Sequence, residues 1–546
     1  MSSPPPPSKP RSFSGLFETG EIVRAAYSEG AGPLRIVPSA VAVPANIADL
    51  VSLIHHARKE GLSLTPRGAG SAMPGGNIGP GIVVDLSKFD AASIDPVTSI
   101  ARVGAATTYK RLDAMACAVG SRLPPDPSSA KFCTLGGMIA TNAAGPRSLK
   151  YGSIRNWVSA LQIVTADGEV ATISREGSSD ATAATARFEQ HVSPEIDRRA
   201  ATISASYPKT TKNSAGYALD KFLISRSPVD LIIGSEGTLA FVVSAQLRLS
   251  PIPTAVGALL LTVAELDALS TLIPALRSFD PPPSALELMD RSLLRYATAR
   301  VPSNVSDAAA LLIAEYEAEN ATQLEELLTE IQRKCAHECT SIEAVADESE
   351  LDELWAVRHA ASSALANLPE TKRSLQIIED GCVPVEKLAD YLNGIHRAAE
   401  QVGIEVVAFG HAGDGHVHVN ALADTTDPDL TRRLSSLLDA VTDLVLSLDG
   451  SPSGEHGDGR MRAGLLQRMY GPEVFDLFTR VKSAFDPDNI LNPGVIVPID
   501  AEPIFENLKV GAHATPIPEV VASRLRRIER EAGWGPAIEF VQDLSP

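Results

Sequence analysis

The stretch Pro66-Arg67-Gly68-Ala69-Gly70-Ser71-Ala72-Met73-Pro74-Gly75-Gly76-Asn77 is rich in glycine and small side chains. It sits between segments that read as regular structure. Leu34–Val43 reads as a strand, Ala48–Glu60 as a helix with Leu50, Val51, Leu53, Ile54 and Ala57 at helical spacing, and Ser63–Pro66 as a second strand. The apolar run Ile82–Leu86 reads as another. A glycine-rich loop in this setting is a phosphate-binding candidate, because exposed backbone N–H groups can face an anion. No Gly-Lys-Ser/Thr follows, and no G-x-G-x-x-G opens a helix, so neither familiar nucleotide motif is present. By spacing alone, a tight surface turn remains the alternative.

Farther along, Pro124-Pro125-Asp126-Pro127-Ser128-Ser129 precedes Thr134-Leu135-Gly136-Gly137-Met138-Ile139-Ala140-Thr141-Asn142-Ala143-Ala144-Gly145, and Tyr151-Gly152-Ser153 follows. Small residues let a flat ligand lie directly against backbone. Leu161–Thr165 and Val170–Ile173 flank Ala166-Asp167-Gly168-Glu169, which reads as a hairpin with an Asp-Gly turn. The apolar run Leu231–Ile233 leads into Gly234-Ser235-Glu236-Gly237-Thr238, and Leu239–Leu249 reads as a long strand. Several glycine clusters, each beside a strand or helix signal, point to one large cofactor rather than to unrelated turns.

A different chemistry is concentrated in Gly410-His411-Ala412-Gly413-Asp414-Gly415-His416-Val417-His418-Val419-Asn420, which holds three of the 11 histidines. After Gly415 the alternation reads as a strand, with His416, His418 and Asn420 on one face. His411 can fold back over the glycine loop. Clustered imidazoles suit a divalent metal such as zinc, which takes three protein ligands and an open position when catalytic. Gly454-Glu455-His456-Gly457-Asp458-Gly459 offers an acidic ligand. Spacing alone leaves both a metal site and hydrogen-bonded strand histidines open.

At 546 residues the chain is expected to form two or three domains. The net charge of -19 argues against general affinity for nucleic acid, so an anionic small substrate needs a local cationic pocket. Cys117, Cys133, Cys335, Cys339 and Cys382 are odd in number and sparse, which suits a reducing, cytoplasmic setting. No apolar run reaches the roughly 18 residues of a membrane span, so no integral membrane segment is expected, and membrane contact would come only through a partner. Met1–Arg11 is Pro- and Ser-rich and reads as a disordered tail, not a secretory signal. Ala309–Tyr316 reads as a strand, and Thr322–Ala336 as a helix with Leu324, Leu327, Leu328 and Ile331 inward, within an α+β region. Ile517–Trp534 reads as a basic amphipathic helix for packing or docking.

Taken in order, Arg67–Ser71, Pro124–Pro127, Thr134–Met138, Asn142–Gly145 and Gly234–Thr238 resemble the FAD-binding domain of the vanillyl-alcohol oxidase-type flavoproteins. The subgroup is that of the FAD-linked D-2-hydroxy acid dehydrogenases: bacterial glycolate oxidase FAD subunits, D-lactate dehydrogenases and D-2-hydroxyglutarate dehydrogenases. The resemblance covers about residues 30 to 500. It implies an α+β architecture: an FAD-binding domain over 31–253, a cap with an antiparallel sheet over 254–450, and a return to the flavin over 451–500; outside the resemblance, a disordered tail is expected over 1–30 and an extension over 501–546. FAD is then expected on Arg67, Gly68, Ala69, Gly70, Ser71, Pro125, Asp126, Thr134, Gly136, Gly137, Asn142, Gly145, Ser153, Glu236, Gly237 and Asn492. The first loop has no histidine, which implies non-covalent FAD.

The resemblance also implies the chemistry. Arg358, in Glu353-Leu354-Trp355-Ala356-Val357-Arg358-His359, holds a substrate carboxylate with its planar fork, and Ser362 and Asn420 assist. His411, His418 and Glu455 hold a divalent metal, expected to be zinc, and His456 takes the hydroxyl proton. The reaction expected is oxidation of a D-2-hydroxy acid to the 2-oxo acid, with electrons leaving to a quinone, a cytochrome, an electron-transfer flavoprotein or an iron–sulfur subunit. The alternative is a non-catalytic FAD-binding subunit of a multi-subunit glycolate oxidase-like complex. Two positions depart from the pattern. His416 replaces an asparagine, and Ile378 stands where hydroxyglutarate enzymes carry a substrate lysine, with Lys372 and Arg373 as nearby cations.

Overall fold

Parallel strands buried on both faces need near-continuous apolar runs, and the first sheet has them. In the computed structural model, which describes residues 6–177, 179–296, 308–499, 504–531 and 533–538 (without the side chains of 359–363), four strands form this sheet. They are β1 (Leu16–Glu18), β2 (Ala40–Val43), β3 (Leu64–Arg67) and β4 (Ile82–Asp85), in the order β1-β2-β4-β3. β2 and β3 run parallel to β4, and β1 is antiparallel to β2. The helix Ile47–Glu60 makes the crossover after β2. Asn46 caps it by accepting the Asp49 N–H at 3.0 Å, and Gly61 ends it in the left-handed conformation. Its Leu50, Leu53, Ile54 and Ala57 are buried. The strand expected from Leu34 starts only at Ala40, because Pro38 cannot donate to a ladder.

The unstructured tail expected through residue 30 is corrected from Leu16 onward. β1 pairs with β2, and the helix Glu21–Ala26 places Ala25, Ala26 and Tyr27 in the interior. Scattered apolar residues between glycines hid these short elements. Residues 1–5 lie outside the described chain.

The second sheet contains β5 (Ala92–Asp95), β6 (Ile100–Gly104), β8 (Val158–Thr165), β9 (Val170–Ser174) and β10 (Ala240–Arg248), all antiparallel in the order β5-β6-β10-β8-β9. A short ladder joins β7 (Ser121–Arg122) to β11 (Ser250–Pro251). The core beneath this sheet takes Leu477, Phe478, Val481 and Phe485 from the helix Leu466–Phe485. The chain therefore returns to its first half after residue 450.

The third sheet is built from β12 (Ala255–Val263), β13 (Ala285–Asp290), β14 (Ala310–Ala318), β15 (Ser341–Val345), β16 (Lys372–Leu375), β17 (Gly381–Cys382), β18 (Glu405–His411) and β19 (His416–Asp424). Its order is β15-β12-β14-β13-β18-β19-β16, with β17 also on β19, and every pairing is antiparallel. The amphipathic helices Leu388–Val402 and Leu430–Ser447 cover one face. The β18–β19 hairpin bends at Gly415, whose φ of 67° is the left-handed value that favours glycine. A Cβ on Gly410 would lie 2.9 Å from the His416 carbonyl oxygen. The architecture as a whole is α+β.

The basic helix read near the C-terminus spans Glu519–Glu531 and bridges two units. Val521 and Leu525 pack on Ala25, Tyr27, Val41 and Val83 of the first sheet region. Its other side is charged against the edge of the third sheet. Arg526 and Arg530 pair with Glu370 at 2.8 and 2.5 Å, and Glu529 with Arg373 at 2.7 Å. Burial opposes ionisation of Glu529, but Lys509, Arg373 and Arg526 outweigh it and hold the carboxyl down at about 2. An unfolded glutamate titrates at about 4.3. Glu529 thus contributes stability above that value and loses it as the pH falls towards 2. Glu529→Gln is expected to expose the C-terminal helix to limited proteolysis at neutral pH. The difference from the parent should shrink between about pH 4.3 and 2, in a protease active in acid.

Candidate active site

The glycine loop after β3 is shaped by what presses against it. A Cβ on Gly68 would collide with the Thr134 hydroxyl, which caps the helix Leu135–Thr141 by accepting the Gly137 N–H at 3.3 Å. A Cβ on Gly136 would lie 2.7 Å from that of Ala105. Among the described residues, the backbone N–H groups of Gly68, Ala69, Gly70 and Ser71 donate to no protein acceptor. The side-chain amide of Asn77 is 7% exposed and unpaired at both ends, and the Arg67 Nε is also unpaired. Buried polar groups are normally hydrogen-bonded, so these donors await a polar ligand. The Arg67 guanidinium rests 5.3 Å over the Tyr27 ring. The residues present fit a dinucleotide cofactor.

From this loop a cleft runs past Thr134, Gly136, Gly137, Glu236 and Gly237 to Glu455 and His456. Not every expected cofactor residue lines it. Asn492 is buried behind it, donating to the carbonyls of Gly76 at 2.7 Å and Glu236 at 2.9 Å, so it ties two cleft loops together. The Glu236 carboxylate accepts the N–H groups of Asp458 and Gly459 at 2.7 and 3.0 Å, and burial pushes its pKa up to about 7. Asp126, next to Pro125, pairs with Arg147, and a Cβ on Gly145 would lie 2.7 Å from the Asp126 backbone. The Ser153 hydroxyl donates to the Asn142 side chain at 2.7 Å, and both line a neighbouring cleft with Lys212 and Gly454.

The hairpin strands β18 and β19 bring His411 beside His418, and the loop after the helix Leu430–Ser447 adds Glu455. The two Nε2 atoms are 3.4 Å apart, and the Glu455 Oε1 is 3.2 Å from the first and 3.3 Å from the second. The His411 Nδ1 faces the Glu287 carboxylate at 2.6 Å, and the His418 Nδ1 faces the Glu379 carbonyl at 3.3 Å. Each Nδ1–H therefore donates outward and turns an Nε2 lone pair inward. Three acceptors converge, which is unfavourable without a cation. A tetrahedral zinc with bonds of about 2.0–2.1 Å spaces its ligand atoms by roughly 3.3–3.4 Å, so the residues present fit such an ion. Burial favours protonation of Glu455, but the Lys212 ammonium outweighs it and keeps it a carboxylate. His416 offers a nitrogen within 4.8 Å of these ligand atoms, but its Nε2 meets Asp380 at 2.9 Å, and burial pushes its pKa down to about 3. Asn420 lies two residues along the strand from His418 and is buried.

His456 stacks on His418, with ring centres 4.9 Å apart and planes 12° from parallel. Its Nδ1 meets the Glu379 carboxylate at 2.7 Å, and its Nε2 lies 3.6 Å from the Glu455 Oε1. Burial disfavours its charge, yet Glu379 and Asp380 outweigh that and raise its pKa to about 10. Arg462 is buried between these two carboxylates, paired with Glu379 and 3.0 Å from Asp380. Arg358, on the helix Glu348–Ala366, donates from Nε to the Glu287 Oε2 at 2.8 Å and lies 4.7 Å over the Phe409 ring. Glu287 thus links the expected carboxylate-binding arginine to a metal ligand. Burial would raise its pKa, but His411 and Arg358 hold it near 2. The contact expected of Ser362 lies outside the described residues.

Sequence reasoning assigned no role to Glu287, Glu379, Asp380, Lys212 or Arg462. The available signal for three of them was a carboxylate inside an otherwise apolar run, in Ala285–Asp290 and in Ile377-Ile378-Glu379-Asp380. Lys212, in Thr210-Thr211-Lys212-Asn213, carried none.

Residues 38–174 match the family model of an FAD binding domain, and residues 252–496 that of the C-terminal domain of FAD linked oxidases. The D-lactate dehydrogenase of Archaeoglobus fulgidus is 31% identical over 505 residues, 89% of this chain and 99% of the relative. The glycolate oxidase subunit GlcD of Bacillus subtilis is 30% identical, over 89% of this chain and 94% of the relative. The D-2-hydroxyglutarate dehydrogenase of Haemophilus influenzae is 27% identical over 90% of this chain, but the match spans 51% of that longer protein. Among solved structures, 4-ethylphenol oxidase from Gulosibacter chungangensis and p-cresol methylhydroxylase each align with a TM-score of 0.65 at 15% identity, over 88% of this chain and 94% of theirs. The fold is thus that of the vanillyl-alcohol oxidase-type flavoproteins.

Two outcomes follow from this geometry. Gly68→Ala is expected to lower the flavin absorbance per chain of purified protein, because the loop can no longer close on Thr134. In elemental analysis, His411→Ala and Glu455→Ala should each lose bound divalent metal, whereas His416→Asn should retain it. Loss in the last variant alone would contradict the three-ligand assignment.

Proposed function

Because the chain belongs to the FAD-linked oxidase family, we propose that it oxidises a short D-2-hydroxy monocarboxylic acid to the 2-oxo acid. The observation that carries this reading is where Glu455 and His456 stand. Both border the flavin cleft, Glu455 also belongs to the convergent group with His411 and His418, and His456 stacks on His418. FAD, when bound, supplies the acceptor for the hydride from the substrate α-carbon. A divalent ion on His411, His418 and Glu455, with zinc as the best fit to the donor spacing, would supply Lewis acidity towards the substrate hydroxyl.

The chain's own groups do the rest. Arg358 binds the substrate carboxylate with its planar fork, held in orientation by Glu287. Asn420 faces the same space from β19. The His456 Nε2 takes the hydroxyl proton, while Glu379 fixes the ring through Nδ1. The raised pKa of His456 reflects its two carboxylate neighbours. A cation held by Glu455, whose Oε1 lies 3.6 Å from Nε2, would lower it towards the range a general base needs.

The substrate class is narrowed by two cations that are already engaged. Lys372 pairs with Glu405 at 2.6 Å and bonds the Tyr296 hydroxyl at 3.0 Å. Arg373 pairs with Glu370 and Glu529. Neither replaces the lysine that Ile378 lacks, which favours glycolate or D-lactate over a dicarboxylic acid. The names of the Archaeoglobus and Bacillus relatives support the same choice. No described helix is long and apolar enough to cross a membrane. Electrons would leave to a separate acceptor, of the quinone, cytochrome, electron-transfer flavoprotein or iron–sulfur kind, in a cytoplasmic or membrane-peripheral setting. The Bacillus relative's designation as a subunit gives the second reading, a non-catalytic FAD-binding chain in a larger complex.

Anaerobic bleaching of the flavin separates these readings. Glycolate or D-lactate should bleach it, D-2-hydroxyglutarate poorly, and a chelator should slow the reaction. Bleaching by L-lactate alone would remove the D assignment, and no bleaching by any 2-hydroxy acid would favour the non-catalytic subunit. His456→Ala should slow reduction by roughly 10²–10⁴-fold. Arg358→Lys, which keeps the charge beside Glu287 but loses the fork, should raise KM by roughly tenfold with a smaller change in kcat.

A further inference from the structure

Lys212 is the buried cation behind the Glu455 carboxylate, which it keeps ionised, and the proposed reaction gives it no step of its own. Its Nζ donates to the Glu455 Oε2 at 2.9 Å, lies 3.4 Å from the Asp414 Oδ2, and reaches the Gly145 carbonyl at 3.3 Å. Three separate parts of the site meet on one ammonium group. Glu455 belongs to the metal triangle, Asp414 to the turn that carries His411 into His416, and Gly145 to the segment that borders the flavin cleft. The segment just after the lysine is tied to the loop of Glu455. The Ser214 N–H donates to the Ser453 carbonyl at 2.9 Å, and the Gly216 N–H to the Asp458 carboxylate at 2.7 Å. The loop carrying Lys212 therefore grips the loop carrying Glu455 before and after that residue.

The two oxygens of Glu455 have different partners. Oε1 faces the His411 and His418 Nε2 atoms, and Oε2 is held by Lys212. A carboxylate whose second oxygen is taken by an ammonium group offers a metal one oxygen, not two. We propose that Lys212 is a positioning residue that restricts Glu455 to single-oxygen ligation, keeps coordination positions open for substrate, and ties the metal centre to the flavin segment at Gly145. This rests on the reading of His411, His418 and Glu455 as a metal site. A 2-hydroxy acid presents a hydroxyl and a carboxylate oxygen on adjacent carbons, so it needs two neighbouring open positions. A two-oxygen Glu455 would close one of them.

The test uses full-length, FAD-loaded protein whose metal has been exchanged for cobalt(II). Its visible d–d absorption is strong in four-coordinate sites and weak in six-coordinate ones. Lys212→Met removes the ammonium. Because it also strands Asp414, Lys212→Met/Asp414→Asn is made alongside it, and Lys212→Arg serves as the conservative variant. In the folded, flavin-replete double variant, the cobalt bands are expected to weaken as Glu455 turns both oxygens inward. A chelator should strip the metal roughly 10–100-fold faster, the usual effect of losing a ligand's hydrogen-bond partner. Oxalate, a two-oxygen chelating anion, should perturb the cobalt spectrum of the parent and of Lys212→Arg but not of the double variant. If the parent holds metal and the double variant shows the parent's spectrum, stripping rate and oxalate response, the role of Lys212 is overturned. A parent that retains no divalent metal overturns the metal reading itself, and this proposal with it.

Discussion

The ion pairs between Arg462 and the adjacent carboxylates of Glu379 and Asp380 hold the site together. All three side chains are buried, and two neighbouring carboxylates can remain ionised in the interior only beside a fixed cation. The rest of the arrangement hangs from that dipeptide. The Glu379 side chain holds His456, and its carbonyl holds His418. The Asp380 side chain holds His416 and accepts the backbone N–H groups of Glu455 and His456. Removing one partner of such a cluster costs about 3–5 kcal/mol, because it leaves an uncompensated buried charge. Glu379 and Asp380 follow β16 of the third sheet, and Arg462 reaches them from a segment whose Met461 and Leu465 pack in the same core, just before the chain turns to the first half at Leu466.

Much of the cofactor side was legible from local sequence, and much of the catalytic side was not. Gly68 and Gly136 mark close approaches that no other residue tolerates, so the loops announced themselves. The β18–β19 hairpin was legible for the same reason, because alternation after Gly415 determines which histidines share a face. Glu287, Lys212 and Arg462 act across long sequence separations, and nothing in a charged residue's immediate neighbours names its partner. Asn492 shows the intermediate case. It was expected to contact the flavin, and it lies behind the cleft, where it binds two loops together rather than lining the cavity. The short elements before residue 30 escaped because two or three residues of strand leave no periodicity to read.

The seam between the halves is polar as well as buried. On β14, Glu315 and Glu317 alternate onto the same face. Glu315 takes a two-pronged contact from Arg147 at 2.8 and 2.7 Å and accepts the Trp355 indole N–H at 3.0 Å. Glu317 gathers Arg122 at 2.7 Å, Lys150 at 2.8 Å and the Tyr151 hydroxyl. Such contacts are directional, so they fix the angle between the two units more tightly than apolar packing of equal area would.

The C-terminal helix Glu519–Glu531 gives this seam a second anchor. One side is seated behind the cofactor loop on Tyr27, and the other is paired with Glu370 and Arg373 of the third sheet. A body pinned at two separated points cannot pivot about either. Opening the seam by rotation would mean breaking the ion pairs at the helix and those on β14 together. The two anchors thus brace the halves against rotation about either one alone, which favours a cleft of fixed width in front of His456.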